Sequence, residues 1–309
     1  MPLTLFTFAP MQRLSVFLVF IIISTHSFSQ DDNDKGRAPM KNKSFHAGLY
    51  FGSLFASGTT TSLYDGYGFN TNGEKNNFFF SFLNRSINYD YGGGNSQPDQ
   101  IAVALGVNHG DWSFNESDMP LNLSYNVAIV GGIETRFYIN NNNSIMFNVK
   151  GCKLSCTGNF TIQIVNTSPV PQQPGYIELG TFPITGSEQR FMFELGYQRV
   201  FGEEGGFNFL VEGGAVYTQT KYLKNQIAIN YLVIDLSHYY SNELYEDFNR
   251  KHLKGGGFGA WAGVGFTITA STKATVQLVY NSSFENIALG NNPGSSLQHY
   301  VGIRAYYKI

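Results

Sequence analysis

Charged side chains are scarce in this sequence. They make up 14% of its 309 residues, whereas a typical soluble domain carries about 25%. Acidic and basic residues nearly cancel, with a formal net charge of −2, so the charge balance does not indicate nucleic acid or another charged partner. Beyond the N-terminal segment, no stretch is apolar for the ~20 residues that a membrane helix needs. The sequence is therefore typical neither of an ordinary soluble domain nor of a helical membrane protein.

Cysteine is equally rare, with two residues in the chain, Cys152 and Cys156. On an extended strand both share one face, but at ~3.3 Å per residue they lie roughly 13 Å apart, which is beyond the reach of a disulfide. A turn between them would permit a bridge. A metal site would need further ligands, for which the sequence gives no placement. We interpret the two cysteines as small residues near a strand end and predict no metal site and no cofactor.

Aromatic residues and glycine are abundant instead, at 16% of the chain and 34 residues. They occur in segments whose apolar and polar residues alternate. The final stretch, LQHYVGIRAYYKI (297–309), places Val301, Ile303 and Tyr307 on one face and Arg304 on the other. A period of two residues is typical of strands whose two faces meet different environments.

Eight such segments predict a closed antiparallel barrel. They lie at 44–55, 124–139, 144–154, 189–201, 207–219, 257–269, 273–284 and 297–309. Three tight turns alternate with four long connections, at 56–123, 155–188, 220–256 and 285–296. Short periplasmic turns and longer extracellular loops are the asymmetry of outer-membrane barrels. The predicted fold is all-β, an up-and-down transmembrane β-barrel of about eight strands with long extracellular loops.

The number of strands is open at one place. FFFSFL (78–83) and QIAVALGV (100–107), inside the first long connection, are also strand-like. They predict either an extracellular hairpin or two further strands, which would make ten. Because 78–83 alternates poorly, we favour eight. A later segment, ELYEDFNRKH (243–252), predicts a short helix in a loop.

Residue types indicate which face meets lipid. In 257–269, the outer candidates Phe258, Val264 and Phe266 oppose a face of glycine, threonine and Trp261. A soluble barrel is apolar inside, whereas here the bulky faces are apolar and the opposite faces carry glycine and scattered charge, which indicates lipid outside and a polar lumen. We expect interfacial girdles of aromatic residues near the strand ends: Phe45, Phe55, Tyr125, Phe137, Phe201, Tyr217, Tyr280 and Tyr307.

The N-terminus has the features of a secretory signal. Arg13 precedes the apolar run LSVFLVFIII (14–23), and small and polar residues follow it. A run of about ten apolar residues suits a cleaved signal and is too short to span a bilayer. We predict a signal peptide at 1–30, a flexible lead-in at 31–43 and the barrel domain at 44–309.

The last strand resembles the terminal strand of small outer-membrane β-barrel proteins of diderm bacteria, the OmpA/OmpX/OmpW-like class. Such strands carry a glycine followed by hydrophobic and aromatic residues, which here are Gly302, Ala305, Tyr307 and Ile309. The final isoleucine is a departure, since an aromatic residue is commoner there. The resemblance implies that the barrel-assembly machinery reads this strand, that outer-membrane lipids surround the barrel, and that the protein resides in the cell outer membrane.

The polar faces direct seven charged residues into the predicted lumen: Glu134, Arg136, Lys150, Arg190, Glu194, Glu212 and Arg304. An eight-stranded barrel is just wide enough for side chains to fill, and charges buried there must be paired. We therefore predict a packed polar plug. A narrow channel for small polar or hydrophobic solutes is the alternative.

No catalytic motif joins the histidine, serine and aspartate residues of the chain, since both G-x-S-x-G and H-E-x-x-H are absent. We predict a non-enzymatic protein with a structural or surface-recognition role. The predicted long loops are rich in asparagine, glycine and tyrosine and low in charge. This composition suits contact with an extracellular ligand or surface partner.

Overall fold

The computed structural model describes most of the chain from residue 44 onward. The described residues are 44–70, 74–89, 96–165, 177–202, 207–237, 254–271, 273–289 and 292–309. The predicted signal peptide and lead-in lie outside these residues, as does the loop helix predicted at 243–252.

The described residues are mostly β-strand. The strands are β1 Phe45–Phe55, β2 Trp112–Ser113, β3 Ser124–Tyr125, β4 Ala128–Asn140, β5 Asn143–Val165, β6 Ile177–Phe201, β7 Phe207–Ile229, β8 Leu232–Asp235, β9 Lys254–Thr269, β10 Ala274–Leu289 and β11 Asn292–Lys308. Two α-helices, α1 Phe82–Asn88 and α2 Gln97–Leu105, and two short 3-10 helices, Gly58–Leu63 and Glu116–Asp118, lie in the first long connection.

Eight long strands close into a ring. In the order β1, β4, β5, β6, β7, β9, β10, β11, each strand pairs antiparallel with the next, and β11 pairs with β1. At this seam Leu49 lies opposite Ala305, and Gly52 lies opposite Gly302. Closure leaves no free strand edge in the ring. A membrane-spanning sheet requires this because unpaired backbone groups are costly in hydrocarbon. The prediction of an eight-stranded barrel is confirmed.

The outer face of the ring is an apolar band. On β6 it runs from Phe191 to Phe201, about 11 residues, which is the length that a tilted strand needs to cross a bilayer. Exposed outward side chains on the other strands include Leu49, Phe51, Ile129, Ile133, Phe147, Phe209, Val211, Phe258, Phe266, Leu278, Phe284, Val301 and Ile303. Aromatic rings also meet across strands, as Phe207 and Phe266 do with 4.7 Å between their centroids. A band of this kind is unfavourable in water and matches the hydrocarbon of a bilayer.

Seven of the eight aromatic residues expected in girdles are exposed on the outer face, and Tyr125 is the exception. Its hydroxyl donates to Glu188 at 3.0 Å, inside the barrel. The girdle position was wrong because the predicted strand 124–139 is broken: Tyr125 belongs to the short strand β3, and β4 begins only at Ala128. Alternation counted through the break assigns Tyr125 to the wrong face.

Three strands, β5, β6 and β7, continue far beyond the apolar band. The described residues of the segments predicted as long loops are largely strand: those of 155–188 lie on β5 and β6, those of 220–256 on β7, β8 and β9, and those of 285–296 on β10 and β11. On β5, Asn159 points outward while Phe160 and Ile162 are buried on the inner face. On β5 the loop prediction was wrong because the period of two persists while the faces exchange roles, with polar residues outside and apolar residues inside.

The two segments of the first connection that were predicted as strand-like belong instead to turns and helices. Residues 78–83 form a turn and the start of α1, and most of 100–107 lies in α2. Ser81 and Ser96 cap the two helices, each accepting a hydrogen bond from a backbone amide, and α2 ends at Gly106 with φ 74°. The strand interpretation was wrong because these capping signals outweigh a short apolar run.

The helices cover the apolar inner face of the strand extensions. We call this unit the distal lobe; it comprises the described residues of 56–123 and the extensions of β5, β6 and β7 with β8. Its buried core consists of Leu83, Ile87, Ile101, Ala104, Phe114, Met119, Phe160, Ile162, Phe182, Ile184, Ile227, Ile229, Ile234 and Leu236. The ring centroid of Phe160 lies 6.1 Å from that of Phe114 and 5.9 Å from that of Phe182. In the described part of the chain, no helix is both long and apolar enough to cross a membrane.

Candidate functional site

All seven charged residues expected in the lumen are buried inside the ring. Each alternates with outward-facing neighbours, as Glu194 does between Phe193 and Leu195. The structure places six of them in one group near the short turns: Glu134, Arg136, Lys150, Glu194, Glu212 and Arg304. Arg190 lies apart from them, towards the distal lobe, in a second group.

Arg304 is the centre of the first group. Its Nε lies 3.0 Å from a Glu134 oxygen and its NH1 lies 2.6 Å from a Glu212 oxygen. The Lys150 ammonium lies 2.7 Å from Glu194 and 3.7 Å from Glu134. Acids and bases therefore alternate across the lumen from Glu212 to Glu194. Such mutual pairing is what makes buried charge tolerable.

Arg136 completes the first group without a direct ion pair. Its NH2 donates to the Gln277 amide oxygen at 2.6 Å, and its guanidinium lies 3.9 Å from the centroid of the Tyr306 ring. The Tyr306 hydroxyl in turn donates to Glu134. Arg136 thus adds a third positive charge that balances the three glutamates of the group. A cation–π contact with Tyr306 and a hydrogen bond to Gln277 hold it in place.

The second group joins the lumen wall to the first connection. Arg190 Nε donates to Glu188 at 2.6 Å, and Glu188 also accepts from the hydroxyls of Tyr64 at 2.7 Å and Tyr125 at 3.0 Å. Arg190 NH2 lies 3.3 Å from the Thr60 hydroxyl. Tyr64 and Thr60 therefore anchor the distal lobe on top of the polar interior.

Tyr64 is fully buried at this junction. Burial first, and the Glu188 carboxylate second, raise the pKa of Tyr64, so its hydroxyl stays protonated and donates. Its ring stacks on Tyr222 with 5.6 Å between centroids. A side chain at Gly186 would collide with the Tyr64 ring. The close approach of this lobe residue to the wall of β6 thus requires glycine.

Two acids of the barrel interior, Glu188 and Glu285, were not predicted from the sequence. Glu285 accepts hydrogen bonds from Thr218 at 2.5 Å, from Tyr300 at 3.1 Å and from Ser283. Each missed acid lies one residue beyond a predicted strand boundary, at 189 or 284. The alternation of each strand could have revealed them, because Glu188 and Glu285 occupy the same alternate positions as the other inward-facing residues of their strands.

The four residues of the predicted assembly strand lie at the seam between β11 and β1. Ala305 and Tyr307 point outward, and the buried Gly302 lies so close to the Tyr50 ring that a Cβ would collide with it. The Ile309 amide donates to the Phe45 carbonyl at 3.0 Å. Recognition of this strand by the assembly machinery remains a prediction.

One pair in the distal lobe has the chemistry of a catalytic dyad. His109 Nδ1 lies 2.7 Å from Asp99, on an exposed surface. The Ser96 hydroxyl, however, donates to Asp99 and not to the imidazole, whereas a serine nucleophile must reach the histidine. Ser96 also accepts the Asp99 amide as the cap of α2. Hydrogen bonds from Ser96, followed by one from His109, lower the pKa of Asp99, which fits a helix-capping role.

The cysteines share the inner face of β5. Cys152 and Cys156 are both buried free thiols on that continuous strand. Among the residues that the structure describes, no three histidine, cysteine, aspartate or glutamate side chains converge as metal ligands. Neither thiol takes part in the ion-pair groups of the lumen.

Comparisons with known proteins find structural likeness without sequence likeness. No protein-family model and no curated protein matches the chain. Neisserial surface protein A is 6% identical, with a TM-score of 0.42, over 87% of this chain and 100% of that one. Ail, the attachment invasion locus protein of Yersinia pestis, solved with the heparin analogue sucrose octasulfate, is 10% identical, with a TM-score of 0.30, over 86% and 97%. The outer-membrane protease OmpT of Escherichia coli is 10% identical, with a TM-score of 0.36, over 89% and 99%.

These scores are too low to transfer any property of the three proteins to this chain. The chain's own geometry carries the conclusion instead. A closed antiparallel ring with an apolar band outside and charged groups inside is the architecture of an integral outer-membrane β-barrel.

Proposed function

We propose that this protein is a non-enzymatic outer-membrane surface protein, which presents the distal lobe for recognition outside the cell while its lumen stays closed. The observation that carries the proposal is the apolar core of that lobe. Long connections of an outer-membrane barrel have no need of a core of their own. Here the first connection packs on three strand extensions, so a folded surface is held above the membrane.

The closed lumen is supported by the two ion-pair groups. Arg304 and Lys150 reach glutamates on different strands, which ties the walls together across the interior. Thr60 and Tyr64 then bring the lobe down onto Arg190 and Glu188. A solute would have to break these contacts in order to pass.

Unsatisfied polar atoms favour the second candidate, a narrow channel. Both side-chain polar atoms of Asn281, the amide nitrogen of Gln277 and two guanidinium nitrogens of Arg136 are buried with no hydrogen-bond partner among the described residues. Groups of this kind are commonly satisfied by ordered water. A hydrated interior is the minimum that conduction requires.

Conductance in planar bilayers separates the two candidates. We expect the wild-type barrel to show no stable single-channel openings. Glu212→Gln should lower the urea midpoint of unfolding, because it leaves Arg304 short of a partner, and should still produce no openings. Stable openings whose ion selectivity changes in Glu212→Gln would instead establish the channel and sink the closed-lumen proposal.

Epitope accessibility tests the presentation of the lobe. An epitope inserted at Gly110, in an exposed turn of the lobe, should bind antibody on intact cells. The matched insertion at Asn141, in the short turn between β4 and β5, should bind only after the outer membrane is permeabilised. Antibody access to the second epitope alone on intact cells would place the lobe on the periplasmic side and contradict the proposal.

A further inference from the structure

A row of lysines crosses the outer face where the apolar band ends. Lys153 on β5 lies opposite Gln189 on β6, Gln189 lies opposite Lys221 on β7, and Lys221 lies opposite Lys254 on β9. Directly paired residues of antiparallel strands share a face, and the alternation of all four strands places this face outside the barrel. We call Lys153, Lys221 and Lys254 the lysine row.

The lysine row lies at a defined level of the barrel. The next outward rank towards the short turns consists of Gly151, Phe191, Gln219 and Gly256. Four residues from the row, the same strands present Val149, Phe193, Tyr217 and Phe258. On the lobe side of the row, polar side chains follow on the outer face of β5 and β6, as at Ser155, Asn159 and Thr185. The row therefore marks the boundary between the hydrocarbon-facing band and the water-facing lobe, at the end of the barrel that carries the lobe.

The three lysines of the row have no acidic partner within the described part of the chain. No described acid forms an ion pair with any of the three lysines. Lys221 and Lys254 are cross-strand partners, and like charges placed directly opposite destabilise a sheet. An anion placed between them would remove that repulsion and gain two charge-assisted contacts.

We propose that the lysine row binds the phosphate group of an outer-leaflet lipid. The location selects a lipid rather than a soluble anion, because the acyl chains would lie on the apolar band, which begins at Phe191 on β6 and includes Phe193, Tyr217 and Phe258 on the short-turn side of the row. Neighbouring strands are ~4.8 Å apart, so one phosphate can bridge Lys221 and Lys254, while Lys153, two strands from Lys221, lies close enough for a second phosphate. Gln189 supplies an uncharged donor between them.

Lipid co-purification tests the row. The full chain is folded into vesicles of equal phosphatidylglycerol and phosphatidylcholine, extracted, and the retained lipids are quantified by mass spectrometry. We expect the wild type to retain phosphatidylglycerol over phosphatidylcholine by about fivefold at low salt. The variant Lys153→Gln/Lys221→Gln/Lys254→Gln should retain the two lipids equally, and Lys153→Arg/Lys221→Arg/Lys254→Arg should keep the preference.

The matched control removes the same charge at the opposite end of the barrel. Arg199→Gln/Lys273→Gln/Lys308→Gln should leave the preference intact. Equal preference in the wild type and the lysine-row glutamine variant would overturn the proposal. Loss of retained phosphatidylglycerol on addition of millimolar inorganic phosphate, at constant ionic strength, would assign the row to a soluble anion and overturn the lipid assignment. Neither result depends on whether the lumen conducts.

Discussion

Replacing Arg304 by Met should lower the free energy of unfolding by about 3–5 kcal/mol, the usual loss when one partner of a buried ion pair is removed. The arginine is completely buried and holds Glu134 at 3.0 Å and Glu212 at 2.6 Å. Methionine fills similar space without charge, so two glutamates lose their shared cation. The measurement is the urea midpoint of the vesicle-folded barrel, followed by heat-modifiable mobility on gels.

Two further variants make this result specific. Arg199→Met removes an exposed guanidinium from the outward face of β6, near the short turn between β6 and β7, and should change stability by no more than about 0.5 kcal/mol. Adding Glu212→Gln to Arg304→Met should restore part of the loss, because one uncompensated carboxylate disappears. An unchanged urea midpoint in Arg304→Met would mean that the interior is wet enough to solvate both glutamates, and the packed plug would have to be abandoned.

The sequence predicted the ring and the charges of its interior because one physical rule governs both. Lipid outside forces apolar residues onto every second position, so Phe191 and Phe193 identify the lipid face and leave Arg190 and Glu194 for the lumen. No such rule identifies the glycines that must lie against a large side chain. The closeness of Gly186 to Tyr64 depends on a residue 122 positions away in the chain (186 − 64), which no local pattern encodes.

The distal lobe was not predicted, for a different reason. Beyond the band the surroundings of the strand change from lipid to water. The outward residues of the same strand are therefore polar there, and the inward residues are apolar. On β5 the exchange occurs between Lys150, buried in the lumen, and Phe160, buried in the lobe core. If one rule is assumed along the whole strand, the predicted strand ends at the exchange and the remaining residues are assigned to a loop. Capping residues of α1 and α2 were the local signal that the first connection is ordered.

Replacing Phe160 by Ala should destabilise the distal lobe by about 3–5 kcal/mol, the loss typical of removing a buried phenylalanine. Phe160 is 1% exposed and contacts both the connection, through Phe114, and the neighbouring strand, through Phe182. Because the lobe core is separate from the polar interior, the ring should remain folded. Limited proteolysis should then cut the first connection rapidly, while heat-modifiable mobility and the urea midpoint stay at wild-type values.

The neighbouring Asn159→Ala is the matched control, since Asn159 faces outward on the same strand and its truncation should leave proteolysis unchanged. If Phe160→Ala instead lowered the urea midpoint of the whole barrel, the lobe and the ring would unfold as one cooperative unit. The lobe would then be part of what holds the barrel closed. Independent opening of the lobe, by contrast, would mean that the proposed recognition surface can rearrange while the ring below it stays folded.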